Sequence, residues 1–246
     1  MNRWEDLGTA TLADGDVMTL HRRGAAEDGR LPEYSLRVAS VELMNSRQHG
    51  SEEQLAALAL ARLQRLDGVR ILVGGLGMGF TLRAALDLLP VSARVTVAEL
   101  VPEVVAWHGE YLGALAGHPL SDERVTVVVG DVAELLRSSK AAFDVVLLDT
   151  DNGPEGTTQE GNERLYDLPG LKAIHAALAP GGVLAVWSVF PSEPFTKRLR
   201  TAGFSVEVKH VRSRGKKGNR HVIWVANSTK GRAPTKGRAN PTKGRA

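Results

Sequence analysis

The chain of 246 residues contains no cysteine. That removes disulfides, thiolate nucleophiles and cysteine-type zinc sites, and it fits a reducing, cytoplasmic setting. No apolar run approaches the roughly 18 residues of a membrane-spanning helix. The opening Met1-Asn2-Arg3-Trp4-Glu5-Asp6 has no apolar signal-peptide core. No membrane partner is therefore expected. The histidines are scattered: His108 falls on the apolar stripe of a helical pattern, His175 in another, and His210 and His221 in strand-like runs. Their spacing suggests no metal. Ser188 lacks a Gly-x-Ser-x-Gly setting, so a hydrolase triad has no support.

Acids are absent from the last 18 residues. These repeat Thr-Lys-Gly-Arg-Ala from Thr229, Thr235 and Thr242 and carry six basic side chains. Removing those six charges takes the formal net charge from +3 to −3, so the basic character belongs mainly to the tail. Residues 228–246 read as a disordered basic extension, because nothing in them could build a core. Such a segment could make weak nucleic-acid contacts, but a solvated, functionally neutral extension is the favoured reading.

Apolar residues make up 43% of the chain, enough for a sizeable core. Residues 9–12, 17–22 and 34–43 are strand-like and separated by turn-forming segments, which predicts a small β meander over residues 1–45. Ser51, with Gln54 three positions on, predicts a capping box opening a helix that carries Leu55, Leu58, Ala59, Leu63 and Leu66. From residue 69 strands and helices alternate: strands at 69–73, 94–99, 125–129, 144–148 and 183–187, and helices at 81–89, from Pro102, at 171–178 and at 194–202. Segments 205–211 and 221–225 are joined by a basic loop too short for a crossover, so they should pair antiparallel. Residues 46–227 thus predict an α/β, doubly wound, seven-stranded sheet.

In such a sheet ligands bind beyond the carboxyl ends of the strands, near the switch in strand order. The segment Gly74-Gly75-Leu76-Gly77-Met78-Gly79 follows an apolar run and precedes a helix, and Glu99 stands twenty residues after Gly79 at the end of the next strand. This is the layout of a nucleoside-binding βαβ unit, in which glycines admit the ligand and the acid accepts ribose hydroxyls. A glycine turn that merely eases helix–strand packing is the plainer alternative. Asp131 suits either an adenine amine or a helix N-cap. Asp149 and Asp151 form a compact anionic pair at a strand end that could hold a cationic amine and take its proton. Turn chemistry alone would also place Asp-Asn-Gly-Pro there.

These residues resemble the spermidine synthase (polyamine aminopropyltransferase) family over residues 17–225. The resemblance rests on the glycine loop followed by Thr81-Leu82-Arg83, on Glu99, on Asp131-Val132, on Asp149 with Gly153-Pro154, and on Pro180-Gly181-Gly182. It implies a Rossmann-like, class I methyltransferase-type domain behind a small N-terminal β-stranded domain. It also implies transfer of an aminopropyl group from decarboxylated S-adenosylmethionine to a di- or polyamine, without a metal. Gly75, Gly77, Gly79, Glu99, Asp131, Val132 and Pro154 would hold the nucleoside co-substrate. Asp149 would accept the proton, and Glu52 and Asp151 would attract the small cationic amine. Residues 155–166 would form a lid, and family analogy adds a homodimer.

The sequence departs from the family at the amine end. Met78 replaces a loop aspartate, Ser51-Glu52-Glu53 replaces Tyr-His-Glu, and Glu42-Leu43-Met44 replaces a Gln-x-Thr motif. The interval from Asp149 to Pro154 is two residues shorter. A methyltransferase using S-adenosylmethionine itself is the second reading, and a non-catalytic nucleoside-binding protein the third. A nicotinamide dehydrogenase is disfavoured, because no catalytic Tyr-Lys or His-type proton donor stands out.

Overall fold

The computed structural model describes residues 3–24, 32–150, 153–154, 163–214 and 217–230. Four antiparallel strands open the chain: β1 (Trp4–Thr11), β2 (Val17–Arg23), β3 (Glu33–Val38) and β4 (Val41–Asn45), in the order β1-β2-β3-β4. The expected single strand over 34–43 is a hairpin. Ala39 adopts φ +51°, and its N–H bonds the Val17 carbonyl at 3.0 Å. A left-handed residue turns the chain where the β-type composition suggested continuation.

Helix α1 (Gly50–Leu60) follows. The expected capping box does not form: His49 is the N-cap, and the Ser51 hydroxyl donates to Glu52 Oε2 at 2.5 Å. The helix ends before Leu63 and Leu66, which still pack on the core from the loop.

Next come β5 (Arg70–Gly74), α2 (Phe80–Leu88), β6 (Arg94–Glu99) and α3 (Pro102–Trp107), then β7 (Val125–Val129), α4 (Val132–Ser138) and β8 (Phe143–Leu148). The chain closes with α5 (Glu163–Tyr166), α6 (Leu168–Ala177), β9 (Leu178–Ser188), α7 (Glu193–Thr201), β10 (Phe204–Arg214) and β11 (Lys217–Ser228). The second sheet has the order β10-β11-β9-β8-β5-β6-β7. β9, β8, β5, β6 and β7 are parallel, and β11 pairs antiparallel with both β9 and β10. This is the expected doubly wound, seven-stranded sheet. Its strand order reverses between β5 and β8, which opens a crevice at their carboxyl ends.

Period-two alternation sorts the strand residues onto two faces. Ile71, Val73, Val95, Val97, Val145 and Leu147 share one core with α1, α2, α3 and the N-terminal sheet. Leu72, Val146, Leu148, Leu184 and Trp224 share the other with α4, α6 and α7. Full burial of each such side chain contributes about 1.5–3 kcal/mol. The N-terminal sheet therefore packs on the first face of the larger domain. At its contact β1 carries an irregularity between Asp6 and Gly8, and a Cβ on Gly8 would lie 2.6 Å from Trp107 Nε1.

Two further boundaries differ from expectation. α6 starts earlier than predicted because Asp167 caps it, accepting the Gly170 N–H at 2.7 Å. The Pro180-Gly181-Gly182 turn is an irregularity within β9, between the pairs Phe143–Leu178 and Val145–Val183. At the last described residues, Thr229 bonds the Gly203 carbonyl through its N–H and hydroxyl, and Lys230 Nζ bonds the carbonyls of Ala176 and Leu178. The proposed tail beyond Lys230 lies outside the described residues. Among those described, no helix is long and apolar enough to cross a membrane, and no group of three or more His, Asp or Glu side chains could hold a metal ion.

Candidate active site

The strand ends that frame the crevice are tied to one another through the backbone. Gly75 N–H donates to the Ala98 carbonyl at 2.9 Å, Gly130 N–H to the Glu99 carbonyl at 2.8 Å, and Asp149 N–H to the Gly74 carbonyl at 2.9 Å. Gly75, immediately after β5, has φ +90°, and a Cβ on it would lie 2.4 Å from the Asp149 carbonyl oxygen. Only glycine permits both that conformation and that approach. Gly77 (φ +49°) sits under Met44, whose Sδ would be 2.8 Å from an added Cβ. Gly79 (φ +84°) is the left-handed N-cap of α2.

The pocket above these strand ends gathers residues that are far apart in sequence. Glu52, Gly75, Gly77, Glu99, Asp131 and Asp149 all line it, together with Val132. Glu99 is buried at the end of β6, where its Oε2 accepts the Leu76 N–H and its Oε1 the Val101 N–H, each at 2.9 Å. These two backbone bonds orient the carboxylate. Asp131 caps α4, its Oδ1 accepting the Ala133 N–H at 2.7 Å. The cap reading of Asp131 is therefore met, and the residue also lines the pocket.

Asp149 follows β8, and its Oδ2 accepts the Thr81 hydroxyl at 2.5 Å. Glu52, on α1, reaches the same pocket from the first face of the sheet. Burial, and then the nearby Asp149 charge, push its carboxyl from near 4.5 up to about 7. Two acids converging in a largely apolar enclosure form a site whose electrostatics a cation would relieve. Apolar side chains fill much of the remaining wall: Met18, Leu36, Leu43 and Met44 come from the N-terminal sheet, and Leu100 and Val101 follow Glu99.

The remaining expected site residues lie elsewhere. Gly79 does not line the pocket, although its turn shapes the loop above it. Pro154 is half-buried outside the wall, beside Gly153, whose added Cβ would lie 2.5 Å from Ser188. Asp151 and residues 155–162 lie outside the described residues. Met78 is fully buried in the first-face core and does not line the pocket, so it replaces the family's polar loop residue with packing.

Three contributors are not obvious from the sequence. Thr81 positions Asp149; its place in Thr81-Leu82-Arg83 was the available signal. Trp187, at the end of β9, lines the pocket. His108, read from its spacing as a packed side chain, is buried but also donates from Nε2 to the Gly77 carbonyl at 3.0 Å. Burial pushes its pKa down, which keeps the ring neutral. It starts a π-helical turn, His108–Leu112, a feature frequent at functional sites.

Known proteins share this fold. The solved structure of spermidine synthase from Thermotoga maritima superposes with a TM-score of 0.70 over 90% of this chain and 72% of that one, at 17% identity, which shows a common fold. Polyamine aminopropyltransferase 2 of Ralstonia nicotianae is 32% identical over 138 residues, 55% of this chain and 26% of that protein. Putrescine N-methyltransferase 3 of Nicotiana tabacum is 32% identical over 116 residues, 47% of this chain and 29% of that protein. The matched stretches thus span between a quarter and a third of the length of these relatives. The spermine/spermidine synthase domain matches residues 48–211, two thirds of the sequence. On that match this chain belongs to the spermine/spermidine synthase family.

Proposed function

We propose that the protein transfers an aminopropyl group from decarboxylated S-adenosylmethionine to a small amine, with Asp149 as proton acceptor. The observation that carries this reading is the division of one pocket into two ends. Glu99, the glycine loop and Asp131 line the end that would take the nucleoside, and Asp149 with Glu52 lines an anionic end. The ribose diol would bond Glu99, and the adenine amine the second carboxylate oxygen of Asp131. Such a donor carries positive charge on sulfur and a leaving group already in place. The protein's part is to align the amine, keep its lone pair available and exclude water. The amine nitrogen attacks the methylene next to sulfur as the carbon–sulfur bond breaks. The bonding pair returns to sulfur, giving neutral methylthioadenosine, and the amine proton passes to Asp149.

A second reading, methyl transfer from S-adenosylmethionine, draws on two observations: the relatedness to a putrescine N-methyltransferase and the burial of Met78 where the family has a polar loop residue. In both readings the setting is cytoplasmic. Family analogy is compatible with a homodimer, and Asp151 stays a proposed amine contact. A calorimetric titration with S-adenosylmethionine, its decarboxylated form, methylthioadenosine and NAD, followed by mass analysis of products, tests the choice. Methylthioadenosine as product supports aminopropyl transfer, S-adenosylhomocysteine supports methyl transfer, and preferential NAD binding would contradict both.

A further inference from the structure

Beside the nucleoside pocket runs a second cleft, continuous with it through Leu43, Met44, Glu52 and Trp187. Its far wall comes from the β10–β11 hairpin. β11 pairs with β9 only from Val222 (opposite Ser188) to Asn227, so residues 217–221 run past the carboxyl end of β9. At about 3.3 Å per residue, Arg220 stands some 7 Å beyond the last ladder pair, on the ligand-binding side. The overhang is fastened down: Ser213 donates to Gln48 Oε1 at 2.9 Å, and Arg214 Nε to the Arg47 carbonyl at 3.2 Å. The linker before α1 therefore holds the hairpin in place as a wall.

The charges in this cleft are arranged unequally. At the shared end stands Glu52, with Asp149 just beyond it. Glu42 also lines the cleft, but it is committed: Oε2 accepts the Ser35 hydroxyl, Oε1 accepts the Asn45 amide, and Arg37 lies 3.9 Å away. On the hairpin side are Arg220, His210 and His221. Arg220 has no ion pair and no side-chain hydrogen bond among the described residues. The polar lining near it, Asn45, Gln48 and Asn219, carries no net charge.

A plain diamine would place one ammonium between Glu52 and Asp149 and bring the other toward the exposed guanidinium of Arg220, a charge of the same sign with no carboxylate partner among the described residues. An amine with a carboxylate at its far end meets a complementary group at both poles. Resting on the transferase reading above, we infer that the acceptor is an amino acid-like amine. Its ammonium end would enter at Glu52 and Asp149, and its anionic tail would lie along the second cleft toward Arg220.

The test uses two four-carbon ligands that differ only at the tail, 4-aminobutanoate and 1,4-diaminobutane. Each is titrated calorimetrically into the full chain saturated with methylthioadenosine, in wild type and in Arg220→Gln and Arg220→Lys. The wild type should bind 4-aminobutanoate about tenfold more tightly, the scale of one charge-assisted hydrogen bond. Arg220→Gln should abolish the preference, Arg220→Lys should keep part of it, and methylthioadenosine affinity should stay constant throughout. Tighter binding of 1,4-diaminobutane by the wild type, a preference that survives Arg220→Gln, or binding of neither ligand would overturn the inference. These outcomes leave the transferase reading standing if turnover with any amine is found. Conversely, absence of turnover with every amine would remove that reading while the binding preference, which needs no chemistry, stays measurable.

Discussion

Glu52→Gln isolates the cost of keeping an acid in the pocket. In the folded chain the carboxyl is buried and faces the Asp149 charge, and it holds its proton up to about pH 7 rather than 4.5. Between those values the folded state binds more protons than the unfolded one, so stability falls as pH rises. The cost is absent below about pH 4.5 and complete above about pH 7, where it reaches on the order of 3 kcal/mol. Glutamine keeps the shape, and its carbonyl can still accept the Ser51 hydroxyl, but it carries no charge. Urea denaturation at pH 8 should show Glu52→Gln more stable than wild type by about 2–3 kcal/mol, with the gain vanishing near pH 4.5. A destabilised variant at pH 8, or a gain independent of pH, would refute the reasoning. The predicted gain would make the wild-type acid a stability cost retained for binding a cation, a trade common at functional sites.

Other consequences follow from single contacts. Gly75→Ala should cost about 2 kcal/mol or more in thermal or urea unfolding, since it forces a side chain into a φ +90° position against the Asp149 carbonyl. Thr196→Val leaves the buried Trp224 indole N–H without its 2.9 Å partner and should cost about 1–3 kcal/mol. For the glycine loop, His108→Leu should weaken methylthioadenosine binding while His108→Gln, which can still donate to the Gly77 carbonyl, restores most of it; equal affinities in a calorimetric titration would dismiss the contact. Truncation after Ser228 should lower the melting temperature by a few degrees, because Thr229 and Lys230 bond the fold. Truncation after Lys230 should not.

The sheet was readable because its central parallel strands, β5 and β8, are buried on both faces and stand as Val/Ile/Leu runs, while β6 and β7 are still Val-rich between turn signals. β6 and β7 match the residue ranges expected from pattern alone. Errors fell where a single backbone conformation decided the outcome. The left-handed Ala39 split one strand into two, and Asp167 began α6 early. Ser51 turned its hydroxyl to Glu52 instead of capping α1. In the site, Glu99, Asp131 and Asp149 were legible because each ends or follows a strand. Thr81, Trp187 and His108 were not, because their roles depend on which elements the fold brings together. The contribution of Met18 and Leu36 was hidden for the same reason: a meander that reads as a separate piece supplies part of the pocket wall.

The central claim is that Asp149 takes the proton of an attacking amine. Thr81 fixes one of its oxygens and the β8 end fixes its backbone, so Asp149→Asn should leave the geometry in place while removing the charge and basicity. The decisive measurement is the rate of methylthioadenosine release from decarboxylated S-adenosylmethionine with a saturating amine acceptor, in wild type and Asp149→Asn, beside the affinity of each for methylthioadenosine. The rate should fall by about 10²–10⁴, the range for a lost general base, with the affinity nearly unchanged. Retention of more than about a third of wild-type turnover, well above that range, would contradict the assignment.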